Sequence, residues 1–136
     1  MKKLTELTTF LLDLNLFAAE QLESFVDDLK ITPSCRKTQI EGRLIITEMH
    51  YTAVLFIERF PHHAVPASLL MAHISSWFID HDPVRIDPFE FQVIVDVIDE
   101  QAADLEIRIL FRETVEASEN TGGAIQFNGK RYAIDA

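Results

Sequence analysis

Apolar residues alternate along two neighbouring stretches near the middle of the chain. Phe89, Phe91, Val93, Val95 and Val97 recur at every second position, and after an acidic turn over residues 99–104 so do Leu105, Ile107, Ile109 and Phe111. A period of two puts all of these on one face of a strand, and the β-branched and aromatic residues suit a packed, pleated surface. The pattern predicts a long antiparallel hairpin over 88–115, taken as the centre of the sheet. One register that unites the two apolar faces sets Val97 against Ile107, Val95 against Ile109 and Val93 against Phe111. On the other face it places Asp96 opposite Arg108, a favourable cross-strand charge pair.

A further strand is predicted over 44–59. Tyr51, Ala53, Leu55 and Ile57 line one face, while Thr52, Val54, Phe56 and Glu58 line the other. Val54 and Phe56 make that second face apolar too. A strand greasy on both sides is either covered by two layers or meets another subunit.

Two segments carry a helical period instead. Leu4, Leu7, Phe10, Leu11 and Leu14 form one stripe over 3–14, and Leu69, Leu70, His73, Ile74, Trp77 and Phe78 form another over 66–80, with Pro66 where a helix can open. Either helix has the spacing to lie across a sheet; the terminal one also suits docking on a neighbouring subunit. Residues 16–32 stay open. Leu22, Phe25, Val26 and Leu29 fit a helix, yet the same segment reads as two short strands around an Asp27–Asp28 turn. Pro33 is expected to end regular structure, leaving residues 34–42 as an exposed basic loop. Near the end, Asn128-Gly129 between alternating arms predicts a hairpin closed by a type I′ turn. The fold class is therefore α+β: a mostly antiparallel sheet, two main helices and a C-terminal hairpin, in a single domain over 1–136.

Composition narrows the function. The 136 residues are 48% hydrophobic with 4 Gly and 5 Pro, the make-up of a folded domain with its own core. A single cysteine, Cys35, leaves no partner for a disulfide within the chain and fits a reducing compartment. The formal net charge of -10 opposes binding to a phosphate backbone, so direct nucleic-acid binding is not expected. Glu6 and Asp13 interrupt the apolar run that follows Lys2-Lys3, unlike a secretory signal, and no stretch is long and apolar enough for a membrane-spanning helix. A soluble, intracellular protein without a membrane partner is the expectation.

Candidate chemistry is thin. His50, His62, His63, His73, His81 and Cys35 offer metal-ligand types, but no Cys-x-x-Cys or His-x-x-x-His pair holds them together, and no metal or cofactor is expected. No nucleophile elbow, phosphate loop or dinucleotide fingerprint is present. Arg36 and Lys37 follow Cys35, but no pattern ties the thiol to a base. An enzyme is not expected; a small hydrolase using Cys35 or His62 is the alternative from another class.

Three blocks carry a resemblance. The start Met1-Lys-Lys-Leu4, the strand Tyr51-Thr-Ala-Val-Leu-Phe-Ile57, and residues 89–115 closing on Arg112-Glu113-Thr114 resemble the tail completion protein R family of P2-like phages. The likeness extends to the helical stretch 69–77 and spans about 1–115, leaving the Asn128-Gly129 hairpin outside. Family members have a hairpin near residues 25–28, which favours strands there. The resemblance implies a structural virion protein, added at the head-proximal end of a contractile tail, that ends polymerisation and makes the tail competent for head joining. A neck or head–tail joining protein is the alternative within that class. The implied partners are further copies of the chain in a ring, commonly of six, and tail tube, sheath or head–tail connector proteins. The implied location is the bacterial host cytoplasm during assembly and then the virion tail. In a ring, Val54, Phe56, Ile94, Ile98 and Leu110 are the expected subunit contact, with cover by the N-terminal helix as the competing explanation for their apolar character.

Overall fold

The computed structural model describes residues 1–82 and 90–135. In chain order the elements are helix α1 (Lys2–Asp13), a 3-10 turn (Ala19–Gln21), strand β1 (Leu22–Lys37), β2 (Arg43–Phe60), helix α2 (Ala67–His81), β3 (Gln92–Val97), β4 (Ala103–Glu119), β5 (Ile125–Phe127) and β6 (Lys130–Ile134). The strand order is β1-β2-β4-β6-β5, and β3 also pairs with β4. The protein is thus mostly antiparallel sheet with two helices and a C-terminal pair of strands. None of the described helices is long and apolar enough to cross a membrane.

The chain divides into two compact units, and β1, β2 and β4 contribute residues to both. The first comprises Met1–Asp28 and Tyr51–Phe111, the second Leu29–His50 and Arg112–Ala136.

In the first unit, both helices lie on one face of the strands. Leu4, Leu7 and Leu11 of α1 and Leu70, Ile74, Trp77 and Phe78 of α2 bury against Tyr51, Ala53, Leu55 and Ile57 of β2 and Leu105, Ile107, Ile109 and Phe111 of β4. These are the period-two and helical-period positions, brought together because each stripe can leave water only against another. Phe111 anchors the cluster, its ring 5.3 Å from Phe78 and 5.6 Å from Tyr51. Lys3 Nζ donates to the buried Asp82 carboxylate at 2.7 Å, tying the start of α1 to the residue after α2.

The hairpin differs from the expected one. Residues 83–89, which hold Pro88 and Phe89, lie outside the described residues. Among those described, the pairing covers Gln92 to Val97 against Ala103 to Arg108, six pairs where a hairpin over 88–115 was expected, and β4 runs on past the end of β3 to Glu119. Val97 faces Ala103 and Val95 faces Leu105, so the register is four residues tighter than predicted. The cause is the turn. Asp99 Oδ1 accepts the N–H groups of Gln101 and Ala102 at 2.8 and 2.9 Å, closing the chain early so that strand structure resumes at Ala103. A shift of four keeps every residue on its face. It does change partners: Asp96 faces Asp104, and Arg108 faces Gln92. Phe91 and Val93 still pack on the core, while Val95 and Val97 are exposed.

The open segment at 16–32 is neither α-helix nor hairpin. From Leu22 onward it is one strand, β1, running through Pro33 to Lys37, so the loop expected over 34–42 shrinks to 38–42. The Asp27–Asp28 turn becomes an irregularity within the strand, with Asp28 at φ 54°. Pro33 is tolerated because β1 ends the strand order: at a free edge a missing N–H costs no ladder bond.

In the second unit, Leu44, Ala117 and Tyr132 form a small buried cluster with Ile46 and Ile125 beside it. Asn128 and Gly129 both have positive φ, 52° and 77°, and join Phe127 to Lys130 as the Asn-Gly signal predicts.

Candidate functional site

The face of the first unit opposite the helices holds the even-numbered residues of β2 as far as Glu58, before the positive φ of Arg59 turns Phe60 into the core, and those of β3 and β4. Ile94, Ile98 and Leu110 are exposed there, and Phe56 is half-buried. Phe25 of β1 alternates with Leu22 and Val26, which pack on the core, so it belongs to this outer face as well, and it too is exposed. The alternation Leu22-Ser24-Val26 against Glu23-Phe25-Asp27 was the signal that would have found it. α1 packs on the helical face with α2, so it supplies no cover for these residues.

Val54 is placed differently. It shares the outer face yet is fully buried. Arg108 of β4 donates from Nη2 to Asp27 Oδ2 of β1 at 2.6 Å, and β2 lies between those two strands. The ion pair therefore reaches over β2 on the face that bears Val54. Glu106 Oε2 sits 3.5 Å from Arg108 Nη1. These acceptors raise the Arg108 pKa, with the Asp27 hydrogen bond as the largest cause. Next to the pair, Thr52, Glu90, Phe91, Gln92, Arg108 and Leu110 line an open cleft of about 600 Å³. The face thus sets exposed apolar residues among polar and charged ones, with the Asp27–Arg108 ion pair fixed across it.

Residues with catalytic potential are occupied otherwise. The Cys35 thiol is half-buried and points at the Ile46 carbonyl oxygen at 3.9 Å. His62 Nε2 lies 3.1 Å from the Asp99 carbonyl oxygen and His63 Nδ1 2.9 Å from that of Gln101, so both rings brace the β3–β4 turn. His73 is half-buried against Phe10, centroids 6.3 Å apart. Among the described residues no three His, Cys, Asp or Glu side chains are placed to share a metal ion.

The second unit carries an ionic anchor that the sequence did not reveal. Asp135 accepts from Arg43 Nε and from Ser118 Oγ, both at 2.8 Å, and its own N–H bonds the Glu116 carbonyl at 2.9 Å. The Arg43 hydrogen bond, followed by that from Ser118, holds the Asp135 carboxyl below the usual aspartate range. The contact fixes the end of β6 beside β2 and β4.

The architecture defines the class: a mostly antiparallel sheet backed by two helices, with exposed apolar side chains on its outer face. Within that class the chain belongs to the P2 phage tail completion protein R (GpR) family, whose family model matches residues 1–136. It is a structural protein of phage tail completion, and the match includes the C-terminal hairpin, which the resemblance over 1–115 left out. A curated relative, "Uncharacterized 19.2 kDa protein in rep-hol intergenic region" of Haemophilus phage HP1 (strain HP1c1), is 31% identical over 114 residues, covering 82% of this chain and 68% of the relative. No solved structure matches the chain.

Proposed function

We propose that this protein is added at the head-proximal end of a contractile tail, where it ends polymerisation and makes the tail competent to join a head. Family membership supports tail completion in general. The observation that carries the finer reading is the exposed apolar face made by Phe25, Ile94, Ile98 and Leu110 with half-buried Phe56. Both helices pack on the opposite face, and among the described residues neither of them covers this one. Copies meet there head to tail and close into a ring, with six as the number implied by related tail terminators; such a contact closes only at the right rotation. Val54, buried on the same face, backs the contact from within the sheet. Tail tube, sheath or connector proteins are the further partners, and assembly takes place in the host cytoplasm. The net charge of -10 suits a ring through which DNA passes without adhering.

The test is complementation. Leu110→Ser and Ile98→Ser variants that fold normally should leave headless tails and tailless heads where the wild-type chain restores virions. Full complementation by both would overturn the reading. Tight binding of wild-type protein to duplex DNA at low salt would overturn the electrostatic part.

A further inference from the structure

Among the described residues β1 and β3 each have a free edge, and the two edges are unlike: each carries what the other lacks. On β3 and its flanks, residues 90–100 contain Glu90, Asp96, Asp99 and Glu100 and no basic residue. On β1, residues 29–37 contain Lys30, Arg36 and Lys37 and no acidic residue, on a chain whose net charge is -10. Both edges expose aliphatic side chains: Val95 is 56% and Val97 64% exposed, Leu29 43% and Ile31 51%. An exposed apolar edge strand without Lys, Pro or a bulge is a template for another strand, and β3 has none of these guards.

Asp96 adds a specific demand. The β3–β4 register places it directly opposite Asp104, and like charges in that position repel. Asp104 has an outlet, since its Oδ1 accepts the Arg59 N–H at 2.9 Å. Asp96 is exposed, and among the described residues no cation pairs with it. Lys30 is equally exposed, and no carboxylate among the described residues pairs with it.

We propose that the free edge of β3 receives residues 29–32 of β1 from a second copy as an antiparallel strand, with Lys30 opposite Asp96. This deepens the self-assembly reading above and rests on it. Backbone directions agree with that register. Ile98 N–H bonds the Ala102 carbonyl at 3.1 Å, so the even residues of β3 turn their backbone groups toward β4 and the odd ones, Val95 and Val97, toward the free edge. On β1, Pro33 marks the outward-turned parity, because its missing N–H belongs on the solvent side of an edge. Ile31 and Leu29 then also turn outward. Setting Lys30 against Asp96 brings Leu29 to Val97 and Ile31 to Val95 as the hydrogen-bonded pairs. The same register stacks four exposed aliphatic side chains on one face and places the cation beside two carboxylates on the other. Symmetric pairing of two β3 edges is disfavoured, since it sets four acids against four.

Disulfide trapping tests the register. In a Cys35→Ser background, Lys30→Cys and Asp96→Cys variants are prepared separately, checked for folding by circular dichroism, mixed and oxidised. Directly opposite residues of a non-hydrogen-bonded pair lie about 4.5 Å apart at Cα, within disulfide reach. A linked dimer in the mixture and in neither variant alone is the expected result. No dimer from folded protein, or a dimer of Asp96→Cys with itself, would overturn the proposal. As a second measurement, Lys30→Asp and Asp96→Lys should each weaken self-association by about tenfold or more, and the double variant should recover it. Equal weakening in singles and double would also overturn it. If trapping fails while the wild-type chain completes tails, the strand pairing falls and the tail-completion reading stands. If trapping succeeds while the wild-type chain fails to complete tails, the strand pairing stands and the tail-completion reading falls.

Discussion

Arg108 Nη2 lies 2.6 Å from Asp27 Oδ2, and the two residues belong to strands that flank β2. Val54 of β2 is fully buried on the outer face that the pair spans, while Ile94, Ile98 and Leu110 on the same face stay exposed. An arginine's aliphatic stem can cover apolar surface as a lid, beside the charge it carries. Arg108→Ala should therefore lower the melting temperature more than Asp27→Ala does. The difference should persist in high salt, which screens the exposed pair but leaves the lost packing. Equal effects of the two variants would contradict the lid. Val54→Ala should cost about 2 kcal/mol, the value for burying two methyl groups plus an unfilled cavity.

On the helical face the costs are larger. Phe111 is fully buried and in ring contact with Tyr51, Trp77 and Phe78. Phe111→Ala should destabilise the protein by about 3–5 kcal/mol in urea titration. Leu110→Ser, one residue away on the outer face, should shift the same midpoint by about 0.5 kcal/mol or less. The contrast separates folding positions from contact positions along a single strand.

Acid should loosen the second unit in a defined way. Asp135 has its pKa lowered by Arg43 and Ser118, so it contributes stability that is present above the ordinary aspartate value and is lost as pH falls through its folded value. Resonances of β6 should stay constant from neutral pH into the ordinary carboxylate range and move only below it. Asp135→Asn should remove that acid step. Asp99, lowered chiefly by the N–H groups of Gln101 and Ala102, should produce a similar low-pH step at the β3–β4 turn that this variant leaves in place.

Gly123 tests a backbone contact. A Cβ there would run into the Tyr132 carbonyl group, too close for any side chain without backbone movement. Gly123→Ala should broaden or shift the Tyr132 and Ala133 amide signals and lower thermal stability. Gly122→Ala, whose Cβ would meet only Asn120 Oδ1 at 3.5 Å, should leave them nearly unchanged.

Periodicity alone determined much of this protein. The spacing of Leu4, Leu7 and Leu11, of Leu70, Ile74 and Phe78, and of the odd residues in β2 and β4 specified which faces meet, because a repeat of 3.6 or 2 commits a side chain to one side of its element. The outward parity of Ile94, Ile98 and Leu110 was legible for the same reason, as was the Asn128-Gly129 turn. Tertiary structure decided what parity leaves open. The hydrogen bonds of Asp99 tightened the hairpin by four residues, a shift that no face pattern detects because it is even. The position of β1 at an edge let it run through Pro33, although the residues there read as turn and loop. Val54 and Phe56 have the same parity and similar chemistry, yet Val54 is fully buried and Phe56 only half so, a difference that alternation alone does not set. A strand's sequence chooses its faces; its neighbours in space choose its partners and its cover.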